Sequence, residues 1–205
     1  MKAKTSVFEK TYEDYISQLS QVDFGLAGQR LGGETAEGVI TIPVFGEPYK
    51  VSANAITDLS GRQPSLDTCV ILSKYLLLCT SAEPREKEWV SYRDLKDSGP
   101  LTVYFANDVE RAIANHFTGR LDALKQACQS VRGYPPNLNA SYDLTMQFDA
   151  LPRVPVILLF NDADDEFPPE CLVLFERRSE SYLDPECLAM VGRRLFTRLK
   201  RAAPS

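Results

Sequence analysis

Apolar positions near the start of the chain recur three and four residues apart: Phe8, Tyr12, Tyr15, Ile16 and Leu19, with Glu9, Glu13 and Asp14 off that stripe. The spacing predicts an amphipathic helix with an aromatic face. Residues 25–33, with Gly25, Gly28, Gly32 and Gly33, read as turns. Val39, Ile40, Ile42 and Val44, then Tyr49 and Val51, flank the pair Gly46-Glu47. Glycine readily takes the positive φ at the first central position of a type II′ turn, so this pattern predicts a β-hairpin turning at Gly46-Glu47. Pro43 and Pro48 cannot donate ladder hydrogen bonds, which puts at least part of the hairpin on a sheet edge.

Leu66–Ser81 is apolar on nearly every side and predicts a central helix, capped by Ser65 or Asp67. A polar connection over Ser81–Lys87 leads to Trp89, Val90 and Tyr92, a short strand, and Asp97-Ser98-Gly99-Pro100 is a turn. Val109, Ile113, Phe117, Leu121, Leu124 and Cys128 predict one long helix, capped at Asn107 or Asp108 and reaching Val131. The run Gly133-Tyr134-Pro135-Pro136-Asn137 stops it. Tyr142, Leu144, Met146 and Phe148 alternate with polar residues, as a half-buried strand does. Val154–Phe160 is continuously apolar and predicts a central strand, with Leu172–Phe175 as its neighbour. The acidic stretch Asn161–Glu170 joins the two.

The last helix is the best signalled. Asp184 is its N-cap, Pro185 sits at the first helical position, and Leu188, Val191, Leu195 and Leu199 form its stripe. Arg193, Arg194, Arg198, Lys200 and Arg201 crowd its C-terminal end, where cations complement the helix dipole. A helix, a hairpin, helices and then strands do not make the alternation of a doubly wound sheet. The order predicts an α+β fold, a mostly antiparallel sheet packed by helices, as a single compact domain over residues 1–205.

Composition narrows the function classes. At 205 residues and 44% hydrophobic, the chain can bury a full core. Its net charge of −5 repels phosphate backbones and argues against a nucleic-acid partner, a local basic patch apart. The five cysteines, Cys69, Cys79, Cys128, Cys171 and Cys187, form no CxxC or CxC pair of the kind a local zinc or iron–sulfur site uses, and read as mostly buried, reduced thiols. The N-terminus has two early lysines but no apolar signal core, and the longest apolar stretch, near Val70–Cys79, is too short to span a membrane. A cytoplasmic location is expected, with no membrane partner.

The segment with most chemical promise is the acidic loop, where Asp162, Asp164, Asp165 and Glu166 are the candidate ligand-binding residues. Clustered carboxylates at a strand end would hold Mg²⁺ or Ca²⁺, or move a proton. The EF-hand pattern of Gly at the sixth position and Glu at the twelfth is absent, so no metal site is assigned. The other reading is a solvated loop in which an Asp side chain ties down its own turn and Pro168-Pro169 stiffens the exit. His116 is the only histidine and reads as structural. Arg120, nearer the centre of the same stripe, would snorkel, pair with a carboxylate or clamp a small anion. The four glycines lack the strand and the spacing of a phosphate-binding loop. No nucleophile–base pair stands out, and no cofactor is expected.

The C-terminal third carries a resemblance. Leu151-Pro152-Arg153-Val154-Pro155, the apolar strand, Asp164-Asp165-Glu166-Phe167-Pro168-Pro169, Leu174-Phe175 and Tyr182-Leu183 resemble the bacterial domain-of-unknown-function family numbered 3786. The Ile42–Tyr49 hairpin, Leu76–Leu78 and Glu88-Trp89-Val90-Ser91-Tyr92 are similar too. The resemblance implies no assigned activity. It implies a setting in anaerobic bacteria and archaea, near redox or one-carbon metabolism, since some members carry an added iron–sulfur domain. This chain departs from those fused forms in having no cysteine cluster to ligate such a centre.

Two functions follow as expectations. One is a non-catalytic binding or accessory module that recognises a small ligand or a partner protein. The other is a carboxylate-dependent enzyme using a divalent metal or acid–base chemistry at the Asp162–Glu170 loop. Nucleic-acid binding through Arg193–Arg201 ranks behind both, because Phe196 lies beside the apolar stripe and offers no stacking platform.

Overall fold

The computed structural model describes residues 7–80, 84–138 and 140–204. The first six residues and the start of the polar connection at 81–83 lie outside these. Two helices, α1 (Val7–Leu19) and α2 (Phe24–Leu31), lead into a four-stranded meander of β1 (Glu34–Ala36), β2 (Val39–Val44), β3 (Glu47–Val51) and β4 (Ile56–Asp58). Next come α3 (Leu66–Leu77), β5 (Trp89–Ser91), α4 (Thr102–Phe105), α5 (Arg111–Phe117) and α6 (Leu121–Ser130). A hairpin of β6 (Leu144–Leu151) and β7 (Val154–Asn161), then β8 (Glu170–Glu176) and α7 (Pro185–Ala202), complete the fold. The second sheet has the order β5-β8-β7-β6, and every pairing in both sheets is antiparallel. The α+β expectation holds, with two antiparallel sheets rather than one.

The glycine segment is a helix, not a set of turns. Asp23 caps it by accepting from the Leu26 N–H at 3.0 Å, and Gly32, at φ +78°, closes it in the left-handed conformation. Gly28 lets β1 approach, since a β-carbon there would sit 2.2 Å from Thr35 Oγ1. Close approach, not flexibility, is what these glycines provide.

The hairpin turns one residue earlier than the sequence suggests. Val44 pairs with Glu47, so Phe45 and Gly46 are the central residues, at φ +48° and +75°. Two positive φ values are the mark of a type I′ turn. Phe45 accepts that backbone because its ring is buried edge-on against Phe148 and its N–H donates to Ala150 O at 3.0 Å. This contact joins the two sheets. Pro43 and Pro48 pair with each other beyond the ends of β1 and β4, where no neighbouring strand needs their missing N–H groups. The hairpin is locally an edge, as expected.

The long helix predicted from Asn107 or Asp108 to Val131 is broken and starts earlier. A π-helical turn over Ala106–Glu110 links α4 to α5, and Asn107 and Asp108 lie inside that turn rather than at a cap. Gly119, at φ +66°, separates α5 from α6. Val109, Ile113, Phe117, Leu124 and Cys128 are all fully buried, so the apolar stripe runs across the break and hides it from periodicity. Glu110 accepts from the Val173 N–H at 3.1 Å, a position the short β5 does not reach.

The strongest sequence signals are met closely. β7 is buried from Val154 to Phe160 between β6 and β8, and Leu188, Val191, Leu195 and Leu199 of α7 are fully buried. All but two of the buried apolar residues, Ile157 and Leu159 of β7, belong to one connected core spanning both sheets. Asp184 accepts from the Cys187 N–H at 2.9 Å and pairs with Lys74 at 3.1 Å, pinning α7 to α3. Burial pushes its carboxyl up, but the Cys187 bonds and Lys74 outweigh that and hold it below the usual range. Asp184→Ala is expected to cost about 0.5–2 kcal/mol at neutral pH. Because the folded pKa is the lower one, this stability is present above the ordinary value of 3.8 and lost as pH falls through the folded value. Urea melts of both proteins at pH 7 and pH 3 check this: the gap between them should narrow in acid.

Candidate functional site

The acidic loop borders a cleft of about 770 Å³ lined by Tyr142, Asp143, Asn161, Asp162, Asp164 and Glu170, among others. Within it, carboxylates are engaged with backbone donors. Asp164 Oδ1 accepts from the N–H groups of Glu166 and Phe167 at 2.8 and 2.7 Å, an Asx turn that holds its carboxyl below the usual range. Asp162 Oδ1 accepts from Ala163 N and from Gly119 N, both at 2.8 Å, and so fastens the loop to the break between α5 and α6. Asp143 Oδ2 accepts from Asp162 N, and Asn161 Oδ1 from Asp143 N. Asp165 and Glu166 are exposed. Among the described residues no group of three or more His, Cys, Asp or Glu side chains is placed to hold a metal ion.

His116 sits edge-on to Phe117 and near Phe196, and burial with Lys200 and Arg120 nearby lowers its pKa. Arg120 Nη2 donates to Pro204 O at 2.7 Å and fixes the chain beyond α7.

A second cleft, of about 540 Å³, lies where α7 passes the β2–β3 hairpin and the start of α3. Its charged and polar lining includes Glu47, Ser65, Asp67, Arg194, Arg198 and Arg201. Arg194 and Arg198 are four residues apart, one helical turn, and come from the flank of the apolar stripe, so helix geometry turns them inward. Their side chains are only 16% exposed. Arg194 lies over the Tyr49 ring and Arg198 over the Phe45 ring, 5.9 and 6.0 Å from the centroids. The two cations therefore rest on aromatic faces set by the hairpin.

Two guanidinium groups and one hydroxyl converge on one carboxylate oxygen. Glu47 Oε2 lies 2.6 Å from Arg198 Nη1, 3.6 Å from Arg194 Nη2 and 3.0 Å from the Tyr49 hydroxyl, which itself accepts from Arg194 Nη2 at 2.8 Å. Burial raises the Glu47 carboxyl, yet Arg198, Tyr49 and Arg194 together hold it below the usual range. Burial raises Tyr49 in turn, with Arg194 opposing, so its hydroxyl keeps its proton. The Nε atoms of both arginines are buried and make no hydrogen bond within the protein, and Arg198 Nη1 meets Glu47 as an ion pair without hydrogen-bond geometry. A buried donor left unpaired costs about 1–3 kcal/mol, so two beside one cleft need a cause.

The sequence reads Arg194 and Arg198 only as helix-end cations. The signal for their inward position was their place beside Val191 and Cys187 on the helical wheel. Nothing local marked Glu47 or Tyr49, which the hairpin register brings to them.

No curated protein and no solved structure matches the chain. A family model does, over residues 23–198, from the cap of α2 to Arg198 itself. That span takes in both sheets, the acidic loop, Glu47 and Arg194, and by it the chain belongs to the family described as Domain of unknown function (DUF3786).

Proposed function

We propose that the chain is a non-catalytic binding module that takes a small oxyanion in the arginine cleft under α7. The observation that carries this reading is the pair of guanidinium groups of Arg194 and Arg198, one helical turn apart, each resting on an aromatic ring and both lining a cleft of about 540 Å³. That volume falls within the usual range for small-molecule sites. Guanidinium forks recognise carboxylate and phosphate oxygens through charge-assisted hydrogen bonds. Both side chains are folded onto the hairpin, which suits a small ligand better than a nucleic-acid backbone. The proposed setting is the bacterial cytoplasm, as an accessory to a partner enzyme near anaerobic redox or one-carbon metabolism. The five free thiols, four of them buried, support a reducing compartment. Calorimetric titration with inorganic pyrophosphate and with citrate at low ionic strength tests the reading. Saturable heat from at least one is expected, and none from either overturns it.

The larger acidic cleft favours a second reading, a carboxylate-dependent enzyme at the Asp162–Glu170 loop. Under the module reading, Mg²⁺ or Mn²⁺ leaves the melting temperature unchanged. A metal at about 100 times its Kd would add ~2.7 kcal/mol, seen as a rise of several degrees. Such a rise, lost on Asp165→Asn with Glu166→Gln, would move the site to the loop.

A further inference from the structure

We infer that Glu47 is a built-in placeholder: a phosphate-type dianion takes its position on Arg194 and Arg198, and the Glu47 carboxylate swings out into solvent. This rests on the oxyanion reading of the same cleft. The two sides of the ion pair differ in mobility. Glu47 is 53% exposed and sits next to the two-residue turn, whereas both arginines are 16% exposed and lie over aromatic rings. The carboxylate is the partner free to leave.

Charge supports the exchange. The cleft is lined by Arg194, Arg198 and Arg201 against Glu47 and Asp67, three cations and two anions. With Glu47 in place the lining carries one net positive charge, and with it swung out two, which a dianion neutralises. Tyr49, which stands behind this lining, then loses its acceptor and keeps the bond it accepts from Arg194 Nη2. Shape favours a phosphoryl group over a carboxylate. Donors come from Arg194, Arg198 and Arg201 along α7 and from Ser65 at the start of α3, whose hydroxyl also meets Thr68 Oγ1 at 2.9 Å. A phosphoryl group offers three oxygens to such a set, and a planar carboxylate two.

The test titrates pyrophosphate and citrate into wild-type protein and Glu47→Gln by calorimetry. Pyrophosphate should bind more tightly than citrate, and Glu47→Gln should tighten it by about ten-fold or more, the worth of one charge-assisted hydrogen bond. Unchanged or weaker pyrophosphate binding to a folded Glu47→Gln overturns the placeholder and leaves the cleft reading standing. Tighter binding of citrate overturns the phosphoryl class. No binding to either protein overturns both readings. Carboxyl-carbon NMR on wild-type protein decides the matter even where the variant does not fold. Saturating pyrophosphate should move the Glu47 titration midpoint up into the ordinary range near 4.5, and a midpoint that stays low overturns the exchange.

Discussion

Phe105→Ala is expected to lower the unfolding free energy by about 3–5 kcal/mol and the melting temperature by roughly 6–20 °C. Phe105 closes α4 just before the π-helical turn and is 1% exposed. Its ring stacks on Tyr92 at 4.2 Å and tilts against Phe175 at 5.9 Å. It therefore sits among α4, β8 and the segment after β5, and its removal opens a void that none of these fixed elements can close alone. Gly192 on α7 gives a sharper test. A β-carbon there would lie 2.4 Å from Phe105 Cε2, and the stacked ring cannot retreat. Gly192→Ala in the wild type should cost about 1–3 kcal/mol by overpacking. In the Phe105→Ala background the 2.4 Å clash is gone and only Val109 Cγ1, at 3.2 Å, remains close, so the same change should cost clearly less than in the wild type, offset by the helix preference for Ala over Gly of up to ~1 kcal/mol. Urea melts of the four proteins complete the cycle. Equal cost of Gly192→Ala in both backgrounds would refute this packing.

The second large effect is on binding. The double variant Arg194→Ala/Arg198→Ala should weaken pyrophosphate binding by roughly 10²–10⁴-fold, since each hydrogen bond to a charged group is worth about 1.5–3 kcal/mol and ~1.4 kcal/mol is ten-fold. Lysines at both positions should restore only part of the affinity, because an ammonium supplies charge without the planar fork. Asp165→Asn in the acidic loop should leave pyrophosphate binding unchanged. Calorimetry reads all three, with a melt of each variant to confirm that the hairpin and α7 still pack. Undiminished affinity in the folded double variant would place any oxyanion site elsewhere.

The acidic loop combines conspicuous composition with local structural work. Its carboxylates are the most conspicuous polar cluster in the chain, and two of them, Asp162 and Asp164, accept from backbone N–H groups and tie down the turn, as the solvated-loop reading expects. The arginine cleft shows the reverse. Arg194 and Arg198 read only as helix-end cations because Glu47 and Tyr49, their partners, lie about 150 positions away in sequence.

The sequence by itself determined the elements whose information is local. The stripe and cap of α7, the buried run of β7, the alternation of β6 and the apolar α3 follow from periodicities of 3.6 and 2 and from an N-cap that bonds its own first turn. Features decided by distant partners were settled only in the tertiary structure. The turn at Phe45-Gly46 depends on Ala150 and Phe148 in the other sheet, α2 on a close approach by Thr35, and the helix break at Gly119 on Asp162. The cleft is of this second kind. A side chain's exposure and partners depend on what the fold sets against it, and no pattern along α7 records that β3 lies across from its arginines.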